Sequence, residues 1–182
     1  MTSLAGTTAA ETAEGLVERA TSGDEMAFAT IVERHHADMV RVSFVVAGDL
    51  DIAEEAVASA WPIVWRRLSS LRESERLRPW LCSIAANEAR QIARSRRRRT
   101  VREIAVRDVD HVQADPAGRA TDIDLGNALG RLRPDDRALL ALRYVAGLNS
   151  TELGRATGMS ASGTRARLAR LLDRLRKELG DE

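Results

Sequence analysis

Cysteine is almost absent from this sequence: Cys82 stands alone among 182 residues. No internal disulfide can form, and a cysteine-based zinc site is excluded; a reducing cytoplasm fits this usage. Lysine is equally scarce. The basic set is 27 arginines and Lys177, which reads as GC-rich codon usage. The bias costs a phosphate binder nothing, because the arginine fork grips phosphate through two parallel hydrogen bonds. Aromatics amount to 3 % (Phe28, Phe44, Trp61, Trp65, Trp80 and Tyr144), which argues against a large β-sandwich. No run approaches the roughly 18 consecutive apolar residues of a membrane span, so no membrane insertion is expected. Met1 to Ala10 has neither a basic residue nor an apolar block, unlike a signal peptide.

Net charge is also nearly missing, at +1. That excludes a uniformly basic DNA-coating protein and an acidic, wholly disordered chain. The near-neutral total is a cancellation of four blocks. Residues 1–60 carry −8, 61–107 carry +9, 108–130 carry −4 and 131–182 carry +4. Such asymmetry points to several distinct contact surfaces.

Apolar residues supply 44 % of the chain, enough for a core. Phe28, Ile31, Val32, His35, Met39, Val42 and Val46 recur at steps of three and four, one face of an amphipathic helix. Gly23-Asp24 starts it and Gly48 stops it. A second helix from Asp51 carries Ala53, Ala56, Val57, Ala60, Ile63, Val64 and Leu68. Pro62 lies inside it and should kink or interrupt it, because proline has no N–H to donate. After a loop at Ser69 to Glu75, Arg78-Pro79 opens a third helix. Trp80, Leu81, Ile84, Ala85, Ala89 and Ile92 form its apolar side, and it ends in Arg96 to Arg99. Helical spacing returns from Asp122, and again from Pro134 to a stop at Gly147. No segment reads as a strand. The expected fold is all-α, with two small helical domains joined by a flexible linker. The boundaries read as a disordered tail at 1–19, a first domain at 20–99, a linker at 100–121 and a second domain at 122–182.

The strongest local pattern lies at the C-terminal end. Ser150 reads as the N-cap of a short helix with Leu153 and Ala156 inward. Thr157-Gly158-Met159 makes a turn in which Gly158 takes a left-handed conformation. Ser160 then caps a second helix with a stripe of Leu168, Leu171, Leu172, Leu175 and Leu179. Its other side carries Arg165, Arg167, Arg170 and Arg174. A short helix, a glycine turn and an arginine-faced second helix match a DNA-reading helix-turn-helix. Alone, this pattern fits a basic helix packed on a partner equally well. A second arginine-rich helix in the same chain tips the balance.

With these residues in place, the sequence is similar to bacterial extracytoplasmic-function sigma factors, the minimal members of the sigma-70 class. The resemblance covers residues 20–100 and 122–179. The stretch from Leu132 to Leu148 resembles the family's region four before its helix-turn-helix. Asp51 to Trp61, continuing to Leu68, is similar to the polymerase-binding helix of region two, and Arg78 to Ile92 resembles the promoter-melting helix. The sequence departs from the family at Ala58 and Ser59, where glutamine and an acid are common, at Pro62, and at Thr164, where an apolar residue is usual.

What the resemblance implies is transcription initiation with core RNA polymerase. Region two would dock on the β′ clamp helices through Asp51, Glu54, Glu55, Trp61 and Trp65. Asn87, Arg90, Gln91 and Arg94 would face the non-template single strand of the minus-ten element, and the loop holding Ser70 and Arg72 would take a flipped-out base. Ser160, Ser162, Arg165, Arg167 and Arg170 would face duplex minus-thirty-five DNA. The linker would thread the polymerase cleft toward the RNA exit channel, where the charge of the acidic strip at 108–124 suits a channel built for RNA, and the β subunit would be a further contact on core polymerase. Family habit also implies an anti-sigma factor.

No catalytic constellation, cofactor or metal site is expected. His35 and His36 are helix neighbours about 100° apart, so they cannot converge on one ion. Glu54-Glu55 and Asp135-Asp136 are adjacent pairs read as exposed, not as an acid/base couple. Cys82 reads as a buried structural thiol. The competing function is an autonomous helix-turn-helix regulator that acts without polymerase.

Overall fold

The computed structural model describes residues 12–104 and 120–180. These form eight α-helices and two single 3-10 turns, with no strand among the described residues. The helices are α1 (Ala13–Thr21), α2 (Glu25–Ala47), α3 (Leu50–Arg67), α4 (Leu77–Ile104), α5 (Ala120–Gly130), α6 (Pro134–Tyr144), α7 (Ser150–Thr157) and α8 (Ala161–Gly180). The turns Leu68–Ser70 and Ser74–Arg76 occupy the loop between α3 and α4.

Local chemistry sets the ends. The Asp24 carboxylate accepts from the backbone N–H groups of Met26 and Ala27, and Gly48 closes α2 at φ +73°. Both are expected of a cap: the first N–H groups and last carbonyls of a helix have no partner within it. Asp49 caps α3 through the Ile52 N–H at 2.9 Å.

Three expectations need correction. The tail expected over 1–19 gives way at Ala13 to helix α1, which is capped by Thr12 and buries Leu16, Val17 and Ala20. Three apolar residues at steps of one and three were too short a signal against a small, polar neighbourhood. Helix α3 is not interrupted at Pro62. Pro62 and Ala58 are both exposed, so water can serve the carbonyl that loses its donor. Helix α4 runs past the arginine run to Ile104, five residues into the expected linker. Residues 105–119, and with them most of the acidic strip, lie outside the described residues.

Helices α2, α3 and α4 pack on one another, with α1 laid across α2 and the two turns. Ile31, Met39, Val57, Val64, Leu68 and Leu81 are fully buried among them. Truncating one such leucine to alanine costs about 2–5 kcal/mol. A second core is not confined to the C-terminal helices. It joins Val42 and Val46 of α2, and Cys82, Ala86 and Ala89 of α4, to Leu139 and Leu142 of α6, Leu153 of α7 and Leu168 of α8. The two helical regions therefore close on each other through α6.

Candidate nucleic-acid interface

The helix-turn-helix is built by exact local fits. Asn149, not Ser150, caps α7: its side chain accepts from the N–H groups of Thr151 and Glu152. Glu152 returns the bond, accepting from the Asn149 N–H at 2.7 Å. This reciprocal capping box satisfies two N-terminal donors at once. Gly158 takes φ +73°, as the turn requires. Gly154 matters as much. A Cβ there would lie 2.5 Å from the carbonyl oxygen of Met159, so only glycine lets α7 approach the turn so closely.

The Ser160 hydroxyl accepts from the Gly163 N–H at 3.0 Å and thus caps α8. The Ser162 hydroxyl lies 3.2 Å from it. Thr164, at the position that departs from the apolar pattern, is fully buried. It donates to the Ser160 carbonyl at 2.9 Å, so the buried hydroxyl is satisfied. Leu168, Leu171 and Leu175 face inward, while Leu179 is exposed.

The arginines of α8 divide. Arg167 turns toward α6, donating from Nε to Asp136 at 2.8 Å, and lies 3.7 Å from the Met159 sulfur. It braces the helix-turn-helix. Arg165 and Arg170 are exposed and make no salt bridge within the described residues. With Ser162 they lie on the solvent-facing side of α8, toward its N-terminal half.

The melting-helix residues are placed differently. Asn87 accepts from Arg90 at 2.9 Å, and Gln91 donates to Glu88 at 3.4 Å. Arg90 and Arg94 both reach Asp135 of α6, Arg90 Nε at 3.6 Å. Desolvation pushes the Arg90 pKa down, the opposite of what its acidic neighbour does. Asp135 and Asp136, read as exposed, are instead largely covered, because α6 is pressed against α4 and α8. Ser70 donates to the Arg67 carbonyl at 2.6 Å. Ser70, Arg72 and Asn87 share an open cleft of about 680 Å³ with Asn149, Glu152 and Arg155.

On α3, Asp51, Glu54 and Glu55 are exposed, and Glu55 meets Arg96 at 2.7 Å. Trp61 is partly buried; its indole N–H donates to His36 Nδ1 at 3.2 Å, and its ring meets Phe28 edge-on. Trp65 packs on Phe28 with ring centroids 4.7 Å apart and remains 41 % exposed, which leaves apolar surface for a partner. Cys82 is buried, and desolvation pushes its thiol up to about 11, so it stays protonated at neutral pH. Among the described residues, no group of His, Cys, Asp and Glu could hold a metal ion, and no helix is long and apolar enough to cross a membrane.

Sequence reasoning missed two residues that organise this arrangement. Arg137 is buried; it donates to the Val46 carbonyl at 2.7 Å and the Ala47 carbonyl at 3.1 Å. Arg78 donates to Asp38 at 2.5 Å and to the Val145 carbonyl at 3.2 Å. One signal was present: Arg137 stands directly before the apolar run Ala138 to Leu142 of α6.

The family model for sigma-70 region 2 matches residues 31–99, and that for sigma-70 region 4 matches residues 128–177. The RNA polymerase sigma factor CarQ of Myxococcus xanthus is 30 % identical over 169 residues, covering 91 % of this chain and 96 % of CarQ. The probable RNA polymerase sigma factor RfaY of Xanthomonas campestris is 27 % identical over 88 % of this chain, which spans only 42 % of RfaY. In fold, the chain is similar to the sigma factor RpoE of Bartonella quintana, solved with the anti-sigma factor NepR. The TM-score is 0.64 at 21 % identity, over 86 % of this chain and 96 % of that one. The two region matches in order, the length shared with CarQ and the all-helical fold lead to one conclusion: the chain belongs to the sigma-70 family, as an RNA polymerase sigma factor of the extracytoplasmic-function type.

Proposed function

We propose that this sigma factor divides its work between two helices: α4 takes the non-template strand of the opened minus-ten element, and α8 reads duplex minus-thirty-five DNA. The observation that carries the reading is the exposure of Ser162, Arg165 and Arg170 on α8, with neither arginine in a salt bridge among the described residues. Arginine is the commonest reader of guanine in the major groove, and recognition helices present their N-terminal residues to base edges. On α4, Asn87 and Gln91 offer amides to unstacked bases, and Arg90 and Arg94 serve the backbone. The loop with Ser70 and Arg72 takes a flipped base. Asp51, Glu54, Glu55, Trp61 and Trp65 give α3 an acidic and aromatic face for the β′ clamp helices.

The protein acts in the cytoplasm by binding, with no catalytic step of its own. An anti-sigma factor is a further partner, which the complex of RpoE with NepR supports by likeness of fold. An autonomous operator-binding regulator would leave the whole region-2 match, residues 31–99, without a role.

Mixing the full chain with core RNA polymerase tests the proposal. Co-elution and promoter-dependent transcripts are expected. Tight duplex binding by the chain alone, with no affinity for core polymerase, would overturn it.

A further inference from the structure

The two helical regions are held together by groups that capture each other's polar ends. Arg137 of α6 donates to the last carbonyls of α2, Val46 and Ala47. Reciprocally, Arg78 of α4 donates to the Val145 and Ala146 carbonyls that follow α6. Cations are favourable at helix C-termini, where unpaired carbonyls point outward. Between these two contacts, Arg90 and Arg94 converge on the Asp135 carboxylate. Two guanidinium groups closing on one anionic oxygen pair is the geometry with which arginines clamp a phosphate.

The central contact is incompletely made. Arg90 Nε and Asp135 Oδ1 are both buried, neither has a hydrogen-bond partner, and they stand 3.6 Å apart. A charge pair removed from water without its full hydrogen bonds recovers little of its desolvation cost. The pair borders a cavity of about 260 Å³ that Arg94 and Arg167 also line.

We propose that Asp135 is a resident stand-in for DNA phosphate: it holds the α4 arginines in a closed chain, and opening exchanges this carboxylate for a phosphate of the non-template strand. The inference rests on the reading of α4 as the strand-binding helix. In the closed chain Arg90 and Arg94 are occupied. The isolated protein therefore binds single strands weakly, and whatever separates α6 from α4 releases both arginines together.

The test uses the full chain with dyes at Ala29→Cys and Ala169→Cys in a Cys82→Ala background. Energy transfer between the dyes reports closure. Binding of a single-stranded oligonucleotide carrying the non-template minus-ten sequence reports the α4 face. Asp135→Asn is expected to lower transfer and to raise oligonucleotide affinity about tenfold, because apparent affinity scales with the open fraction. The gain should vanish in an Arg90→Ala, Arg94→Ala background. Unchanged transfer and affinity in Asp135→Asn would overturn the proposal, as would a gain that survives removal of both arginines. If Asp135→Asn opens the chain but no form binds the strand, even with core polymerase, the assignment of α4 fails while the closure itself stands.

Discussion

Helices α4 and α8 are both arginine-rich, and by composition they look like two versions of one DNA-binding surface. Their surroundings differ. On α4, Arg78, Arg90, Arg94 and Arg96 each meet a carboxylate on another helix: Asp38, Asp135 and Glu55. Among the described residues, Arg167 is the one arginine of α8 with a salt bridge to another helix, and Arg165 and Arg170 stay open to solvent. The number of arginines on a helix therefore does not give its capacity for phosphate. What counts is which of them another element has already neutralised. Under the proposed division of work, Arg90 and Arg94 have to leave Asp135 before they can meet a strand, whereas Arg165 and Arg170 of α8, like Arg97, Arg98 and Arg99 at the far end of α4, already face solvent.

The contrast can be broken most strongly at the contact that covers α4. Arg137→Ala removes a buried side chain and two donors to α2 carbonyls, each bond to a charged group contributing about 1.5–3 kcal/mol. We expect a loss of about 3 kcal/mol in urea unfolding of the full chain; an unchanged midpoint would show that closure does not depend on Arg137. Next in size, Arg165→Ala should weaken minus-thirty-five duplex binding by about 1–3 kcal/mol, the range of a bidentate arginine-to-guanine contact. Equal affinity in a gel-shift titration would remove Arg165 from the reading face. Asn149→Ala, which deletes the α7 cap, should lower stability by about 1 kcal/mol, seen as a reduced melting temperature. A drop in duplex affinity larger than the stability loss would mean that Asn149 also touches DNA.

The smallest effect concerns pH. The hydrogen bond from Arg78 holds the Asp38 carboxyl below its ordinary value. A carboxylate whose folded pKa is depressed stabilises the fold above its unfolded pKa and loses that contribution as pH falls through the folded value. Stability should therefore decline below about pH 4 in the natural chain and less in Asp38→Asn, as followed by circular dichroism. Parallel acid profiles would show that the Arg78–Asp38 pair contributes nothing to closure.

Much of the scaffold was legible in the residues because it is local. The 3.6-residue apolar spacing marked α2, α3, α4, α6 and α8. Asp24, Gly48, Gly158 and Ser160 marked their ends by chemistry that acts within four residues. The errors were also local. Asn149 outcompeted Ser150 for the α7 cap because Glu152 completes a reciprocal pair with it. Helix α1 was too short for its periodicity to stand out. The candidate site was legible as a set of residue types, but not as a set of available residues. Arg167 and Arg165 are two positions apart and equivalent in the sequence, yet one braces α6 and the other faces water.

By itself, then, the sequence determined an all-helical chain with a helix-turn-helix and two arginine-bearing helices, because helix periodicity and capping depend on neighbours three or four residues away. Only the tertiary structure decided which arginines are free to meet DNA. Arg94 and Asp135 are 41 positions apart, and Arg137 and Val46 are 91 apart. Nothing in the chain's local order couples such pairs. They meet because α6 must bury its leucines, and the nearest apolar surface for them is the face of α2 and α4.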